Sequence, residues 1–208
     1  MVKIFCVNTQ TSMTFPEGTA LIDMLPAFEF EKPYPILCAK VNNVSQGLKY
    51  RAFNSRKVEF LDYTSYIGRS VYCNSLCFLL CKAAKDVFPN CRVVLRRPIS
   101  KGYFCSISKG DGGEITSADL ELIKARMNEL VEADIPFRRH EVLLEEAIGL
   151  FRSLGYEDKV KLLETSGDVY VNYYTLEDTP DYYYEALLSS TGYLKVWSLE
   201  MYRGGMLL

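Results

Sequence analysis

The first third of the chain alternates short apolar stretches with turn residues. Stretches rich in apolar and β-branched side chains predict four strands, at residues 2–8, 11–15, 36–42 and 57–61. Pro16 to Gly18 predicts a turn, and Thr19 is the expected N-cap of a short helix that runs to Leu25. This order of elements predicts a small mixed sheet packed on one helix.

The remainder of the chain changes from helical spacing to extended, tyrosine-rich segments. Residues 70–88 form a long apolar stretch before Pro89, which predicts a buried helix. Four apolar residues recur at helical spacing after a cap at Thr116 or Ser117, namely Leu120, Ile123, Met127 and Leu130. Shorter helices are expected at 144–154 and 157–163. Strands are expected at 91–97, 102–107, 137–142, 169–174, 182–188 and 193–199.

Composition narrows the classes of protein to consider. The 208 residues are 49% hydrophobic and carry a net charge of −2, so the total charge demands neither nucleic acid nor an anionic membrane. No apolar run approaches the roughly 20 residues that cross a bilayer, and the N-terminus does not resemble a signal peptide. We therefore expect a cytoplasmic protein without a membrane partner.

Residues 1–62 resemble a TGS domain, a ubiquitin-like β-grasp unit. The matching motifs are FPEGT (15–19), AKVNN (39–43) and VEFLD (58–62). The resemblance implies a β-grasp domain at 1–62, followed by a second domain at 63–208.

Residues 70–208 resemble the second N-terminal domain of threonyl-tRNA synthetase, which also occurs in alanyl editing proteins. The motifs that carry this resemblance are KAAKDVFP (82–89), PISKGYFCSI (98–107), the segment 115–142 and SSTGYLKVWSLEMYRGG (189–205). The whole chain is thus expected to be α+β: a β-grasp TGS domain followed by an editing-like α+β domain.

The chain departs from the editing family where that family places its metal-type ligands. Counting from Pro89 and Ser190, the His-x-x-x-His and Cys-x-x-x-His positions fall on Asn74, Phe78, Tyr183 and Leu187. Phenylalanine and leucine offer no lone pair and no titratable proton. Because His140 is the only histidine, no realignment restores the family's set. We expect no catalytic residues and no metal ligands here.

The same pair of domains, without editing residues, resembles the front end of a bacterial nucleoside kinase family, often labelled uridine kinase. That resemblance implies a non-catalytic ligand-binding or regulatory module whose partner is a kinase domain beyond Leu208, with ATP and magnesium as that domain's cofactors. No Gly-x-x-x-x-Gly-Lys-Ser/Thr motif lies within the 208 residues. An RNA-binding module and a thiol-dependent enzyme are the two alternatives.

A basic strip with aromatic neighbours suggests contacts with an anion, a nucleotide or structured RNA. Guanidinium groups beside aromatic faces suit phosphates and stacked bases, and a solvated sheet face is the alternative. The candidates are Arg92, Arg96, Arg97, Lys101 and Tyr103, joined by Arg138 and Arg139 if their strands pair with the strip.

Several other residues have both a structural and a chemical interpretation. Cys73, Cys77 and Cys81 lie at helical spacing, and they favour packing over a thiolate site. Cys105 and His140 are read as strand residues, and the glycine-rich loop at 109–113 as a connection, not a phosphate cradle. The tyrosines fit either ordinary sheet faces or the lining of a pocket; they are 170, 173, 174, 182, 183, 184, 193 and 202.

Overall fold

The computed structural model describes residues 1–29, 34–99 and 102–208. The first part of the chain contains strands β1 (Val2–Cys6), β2 (Thr11–Phe15), β3 (Thr19–Ala20), β4 (Cys38–Val41), β5 (Val44–Gly47), β6 (Arg51–Ala52) and β7 (Arg56–Leu61), with the one-turn helix α1 (Leu21–Met24). Five of these strands form a sheet in the order β2-β1-β7-β4-β5, in which β1 and β7 are parallel. Its core includes Ile4, Leu21, Met24 and Phe60, all fully buried.

The second part of the chain has four helices around two sheets. The helices are α2 (Tyr66–Val87), α3 (Ser117–Glu132), α4 (Leu144–Ser153) and α5 (Glu157–Glu164). The strands are β8 (Arg92–Ile99), β9 (Gly102–Ser108), β10 (Phe137–Leu143), β11 (Tyr170–Leu176), β12 (Thr179–Asp181), β13 (Glu200–Tyr202) and β14 (Gly205–Leu207). One sheet has the order β13-β14-β9-β8 and the other β10-β11-β12. The α+β fold class is confirmed.

The elements follow from local sequence signals. Ser65 caps α2 by accepting a hydrogen bond from the Gly68 amide, so the helix begins at Tyr66, before the predicted start. Thr116 caps α3 in a capping box with Asp119, and the four predicted stripe residues are the buried ones. Asn42 and Asn43 both have positive φ and join β4 to β5 in a tight hairpin, whose second strand the sequence analysis missed.

Three expectations are wrong. Thr19 does not cap a helix: it lies in β3, and its hydroxyl donates to the Pro16 carbonyl. Residues 182–188 form no strand, because tertiary partners replace a ladder there; the Leu188 amide, for example, donates to Ser75 Oγ on α2. Residues 193–199 form no strand either: Tyr193 ends a 3₁₀ turn that begins at Thr191, and residues 194–199 are irregular.

One large hydrophobic cluster joins the two parts of the chain. Buried side chains of α2, such as Val71 and Leu79, belong to the same cluster as Leu37, Cys38 and Leu61 from the β-grasp sheet. The division of the chain into two domains between residues 62 and 63 remains our proposal. The segments before and after that boundary share this cluster. No helix among the described residues is long and apolar enough to cross a membrane.

Candidate functional site

Helix α2 carries two of the four positions, Asn74 and Phe78, that the sequence resemblance predicts to correspond to the editing family's ligands. Its middle is buried on most sides, with Leu76, Leu79, Leu80, Ala83 and Ala84 in the large cluster. The helix is thus a central core element, and side chains one turn apart on it face the segment 182–189.

Phe78 and Tyr183, at two of these predicted positions, belong to one aromatic cluster. Phe78 is fully buried, and its ring centroid lies 5.6 Å from that of Tyr183 and 5.8 Å from that of Phe137. Such tilted rings at these separations attract each other through their quadrupoles as well as through burial. The cluster therefore occupies volume and contributes packing where the family has imidazole and thiolate.

Asn74 and Leu187 are the other two of the four predicted positions. Asn74 donates a long hydrogen bond of 3.4 Å from Nδ2 to Glu185 Oε2, and Ser70 donates to the same oxygen. Leu187 is buried. Within residues 1–29, 34–99 and 102–208, no group of three or more His, Cys, Asp and Glu side chains is placed to hold a metal ion. The donor set does not fit the metal-type site that the resemblance implies.

A lysine–carboxylate pair lies beside this aromatic cluster. Lys159 Nζ is 2.9 Å from Asp181 Oδ1 and lies over the Tyr183 ring, 5.7 Å from its centroid. Burial alone would lower the pKa of Lys159, but Asp181 raises it, so the amine stays charged. The Tyr183 hydroxyl is buried, and burial, followed by the neighbouring Asp181, raises its pKa. The phenol therefore stays protonated.

The seven cysteines are free thiols, and six of them are buried. Cys77, Cys81 and Cys105 are buried, and Cys73 is partly exposed. Burial raises the pKa of Cys77 to about 12 and that of Cys105 to about 11. Burial also raises the pKa of Cys73, only partly offset by Arg69. A nucleophilic cysteine needs the opposite shift, so these thiols give no support to a thiol-dependent enzyme.

His140 and the glycine-rich loop have structural partners. The His140 ring stacks on Tyr173 with centroids 4.9 Å apart, and its Nε2 lies 3.0 Å from Thr175 Oγ1. In the loop, Lys109 Nζ lies 2.8 Å from Asp119 Oδ2. Lys109, together with hydrogen bonds from Thr116, lowers the pKa of Asp119 to about 2. The loop's lysine is thus engaged with the capping carboxylate.

The residues of the basic strip lie in two separate sheets. Arg92 and Arg96 are exposed on β8, and Tyr103 lies on the neighbouring strand β9. Lys101 and the side chain of Arg97 lie outside the described residues. Arg138 and Arg139 were expected to join the strip only if their strand paired with it. Their strand, β10, pairs with β11 and not with β8, so they do not join it. The described members, Arg92, Arg96, Tyr103, Arg138 and Arg139, therefore do not form one strip.

Arg138 and Arg139 instead line a cleft between the β-grasp sheet and β10. The cleft has a volume of about 340 Å³, and we call it the Lys49 cleft after the residue at its other wall. Its lining includes Gln46 and Tyr50 on one side, Leu187, Leu188 and Ser189 on the other, and Phe137 with Tyr174. Arg139 Nη1 bonds to Gln46 Oε1 across the cleft at 3.3 Å. The sequence analysis missed Lys49 and Gln46, which belong to no motif, and it quoted Ser189 only within the closing motif at 189–205.

The predicted tyrosines do not line one pocket. Tyr174 lines the Lys49 cleft, Tyr183 belongs to the aromatic cluster, and Tyr173 stacks on His140. Tyr170 and Tyr184 are exposed. Their distribution matches the alternative in which most of them serve ordinary sheet faces and packing.

Comparison with known proteins gives one consistent kind of relative. The chain is 28% identical over 205 residues to a threonine–tRNA ligase of Desulforamulus reducens, covering 98% of this chain and 32% of that protein. It is 26% identical over 189 residues to that of Geobacter sp. strain M21, covering 91% and 29%. It is 32% identical over 169 residues to that of Syntrophotalea carbinolica, covering 81% and 26%. No family model matches the chain.

These similarities span nearly all of this chain and only part of each relative. The chain spans about three tenths of the length of the curated relatives that it matches. The matched part is their N-terminal region, which is consistent with a TGS unit followed by an editing-like domain. The chain is therefore similar, from its first strand to its last, to the N-terminal region of threonine–tRNA ligases.

Proposed function

We propose that this chain is a non-catalytic RNA-binding module related to the N-terminal region of threonine–tRNA ligase. The observation that carries the proposal is the similarity over 98% of the chain to a protein whose name states that it acts on tRNA. Phe78 and Tyr183 lie at two positions where the resemblance would place editing ligands, and they pack with Phe137 in an aromatic cluster, which supports binding without hydrolysis.

Exposed cations supply two candidate contact areas for an RNA backbone. Arg92 and Arg96 project from β8, and Lys49, Arg138 and Arg139 line the cleft. Among the described residues, none of these five side chains forms an ion pair with a carboxylate. Unpaired arginines are well suited to phosphate oxygens because of their planar donor forks.

The test is the affinity of the purified chain for tRNA as a function of salt. Phosphate contacts release counterions, so we expect the affinity to fall steeply between about 50 and 200 mM salt. Replacing both Arg92 and Arg96 by alanine, or both Arg138 and Arg139, should lower the slope by about one for each lost contact. Arg152→Ala is the matched control, since Arg152 pairs with Glu164 on the helical face. An affinity that is absent at low salt, or unaffected by both double variants, would refute the proposal.

A second arm separates binding from hydrolysis. The chain should leave mischarged threonine-acceptor tRNA intact over the time of a binding measurement, with or without a chelator. Hydrolysis that a chelator suppresses would show a metal-dependent site and contradict a non-catalytic module.

We also propose that this module belongs to a nucleoside kinase, although the relatives named above are all threonine–tRNA ligases. This proposal is motivated by the loss of the four ligand positions in an otherwise editing-like chain. In that arrangement the module would regulate an ATP- and magnesium-dependent kinase domain in the same polypeptide. The reading frame downstream of Leu208 decides it, because a Walker motif must follow within about one domain length.

A further inference from the structure

The Lys49 cleft concentrates positive charge in a protein whose net charge is −2. Lys49, Arg138 and Arg139 all line it, and its lining contains no aspartate or glutamate. Burial lowers the pKa of Lys49, Asp134 opposes that shift, and Arg138 adds to it. Like charges held together without a partner oppose one another, so a bound anion would stabilise the arrangement.

Asp134, the carboxylate that acts on Lys49, has another partner. Asp134 influences Lys49 electrostatically, but its Oδ1 accepts a hydrogen bond of 3.0 Å from the Gly192 amide. It forms no ion pair with any cation among the described residues. The three cations therefore remain available to a ligand.

Two polar groups in the lining are held ready for further contacts. Arg139 is oriented by Asn172 Oδ1 at 2.9 Å and by Gln46 Oε1 at 3.3 Å. Ser189 is 5% exposed, and its Oγ has no hydrogen-bond partner within the described part of the chain. A buried hydroxyl without a partner costs free energy, which a ligand acceptor or donor would recover.

The remaining lining is apolar and aromatic. Phe137, Tyr174, Leu187 and Leu188 each expose 6% or less of their surface and form the inner side of the cleft. A volume of about 340 Å³ lies near the lower end of the roughly 300–1,000 Å³ typical of small-molecule sites. A mostly apolar cavity of that size with a few polar groups at one side fits one compact, planar, charged ligand.

We propose that the Lys49 cleft binds a single nucleoside monophosphate, with the phosphate on Lys49, Arg138 and Arg139 and the base against the partly exposed Tyr50. Arginine forks match phosphate oxygens, and an aromatic and aliphatic surface accepts the face of any base. Gln46 and Ser189 would bond to polar edges of the ligand. The nucleotide is either free or the end of an RNA chain, and the second source rests on the proposed function above.

Isothermal titration calorimetry on the whole chain tests this proposal. The probes are UMP, AMP, uridine, inorganic phosphate and a five-nucleotide RNA. The variants are the double change Lys49→Ala with Arg138→Ala, and Ser189→Ala, with Arg152→Ala as the charge-matched control. Each lost cation should weaken binding roughly tenfold, since hydrogen bonds to charged groups contribute about that much. Ser189→Ala should weaken binding without lowering the melting temperature, because the hydroxyl has no protein partner to lose.

The outcomes separate the source of the nucleotide and the fate of each proposal. If UMP or AMP binds and the double variant weakens that binding, the ligand is a free nucleotide. If only the five-nucleotide RNA binds, and the double variant weakens it, the ligand is the end of an RNA chain. The proposal is overturned if inorganic phosphate or uridine binds as tightly as UMP, or if the double variant binds every probe like the unmodified chain. Salt-dependent tRNA binding that survives in that last case would leave the proposed function intact.

Discussion

At the positions of Phe78 and Tyr183, the resemblance would place metal ligands. In this chain both side chains instead pack against each other. Their rings lie 5.6 Å apart, and Phe78 is fully buried. The residue types alone exclude imidazole and thiolate chemistry at these two positions. The sequence could not show that Phe137 would join them, since that contact joins α2 to the start of β10.

Replacing Phe78 by alanine should destabilise the protein severely. The change removes a fully buried ring from the centre of the aromatic cluster, and such truncations cost about 3–5 kcal/mol of unfolding free energy. Urea denaturation followed by circular dichroism measures the difference. Tyr184→Ala is the control, because Tyr184 is 91% exposed and should change the unfolding free energy by less than about 0.5 kcal/mol. Equal effects of the two changes would show that the cluster is not a packed core.

Among the elements, α3 was predicted almost completely and the tail was not. Helical periodicity, a capping box and four stripe residues specify α3 from within a span of 17 residues, Thr116 to Glu132. The tail residues 182–199 have strand-like composition, but their backbone groups bond to partners such as Ser75 and Ile135. Those partners are far away in sequence, so local pattern had no means to identify them.

The capping residue of α3 is Thr116, and a matched pair of variants tests it. Thr116→Ala removes the hydroxyl that accepts from the Asp119 amide at 3.2 Å, and should cost about 0.5–2 kcal/mol of stability. Ser117→Ala, one residue later, removes an exposed hydroxyl inside the first turn and should have a much smaller effect. Thermal unfolding of both variants decides the assignment. A larger loss for Ser117→Ala would move the cap by one residue.

Lys82 connects α2 to the turn between β11 and β12 through a cluster of carboxylates. Its Nζ lies 2.8 Å from Asp86, 2.7 Å from Asp178 and 3.2 Å from Glu177, and the side chain is 5% exposed. Burial would lower the pKa of Lys82, but hydrogen bonds donated to Asp178, Asp86 and Glu177 raise it. Because its pKa is raised, Lys82 is charged at neutral pH, and its charged form stabilises the folded state.

Lys82→Met should destabilise the protein at pH 7 by about 1–3 kcal/mol, less than for a fully buried pair because Asp178 is largely exposed. Lys82 lowers the pKa of Asp178, so the stability from that carboxylate is present above its ordinary pKa and is lost as the pH falls through the lowered value. Urea titrations at pH 7 and pH 3 should therefore show a smaller difference between variant and parent in acid. Lys161→Met, at an exposed site, is the control. A difference that grows in acid would contradict this account.

At the scale of the whole molecule, the β-grasp sheet and the helix α2 share one core. Leu37, Cys38 and Leu61 belong to the same hydrophobic cluster as Val71 and Leu79. A domain boundary at 62 and 63, proposed from the sequence, would thus divide residues that pack together. We expect the two parts to depend on each other for stability.

Differential scanning calorimetry should show a single unfolding transition for the chain. Leu61→Ala, at a residue that is 6% exposed and belongs to the shared cluster, should lower the melting temperature of that one transition, at a cost of about 2–5 kcal/mol. Val44→Ala, on the exposed side of β5, should leave it nearly unchanged. Two separate transitions, of which Leu61→Ala shifts only the first, would show that the parts unfold independently.

The sequence by itself determined the α+β class, nearly all the helices, the loss of imidazoles and the likeness to a tRNA ligase front region, because periodicity, caps and residue chemistry are local properties. The tertiary structure alone decided which side chains share a space. It separated Arg138 and Arg139 from Arg92 and Arg96, because strand pairing is set by long-range contacts. It also brought Lys49 and Ser189, 140 positions apart in the chain, to the same cleft as those two arginines.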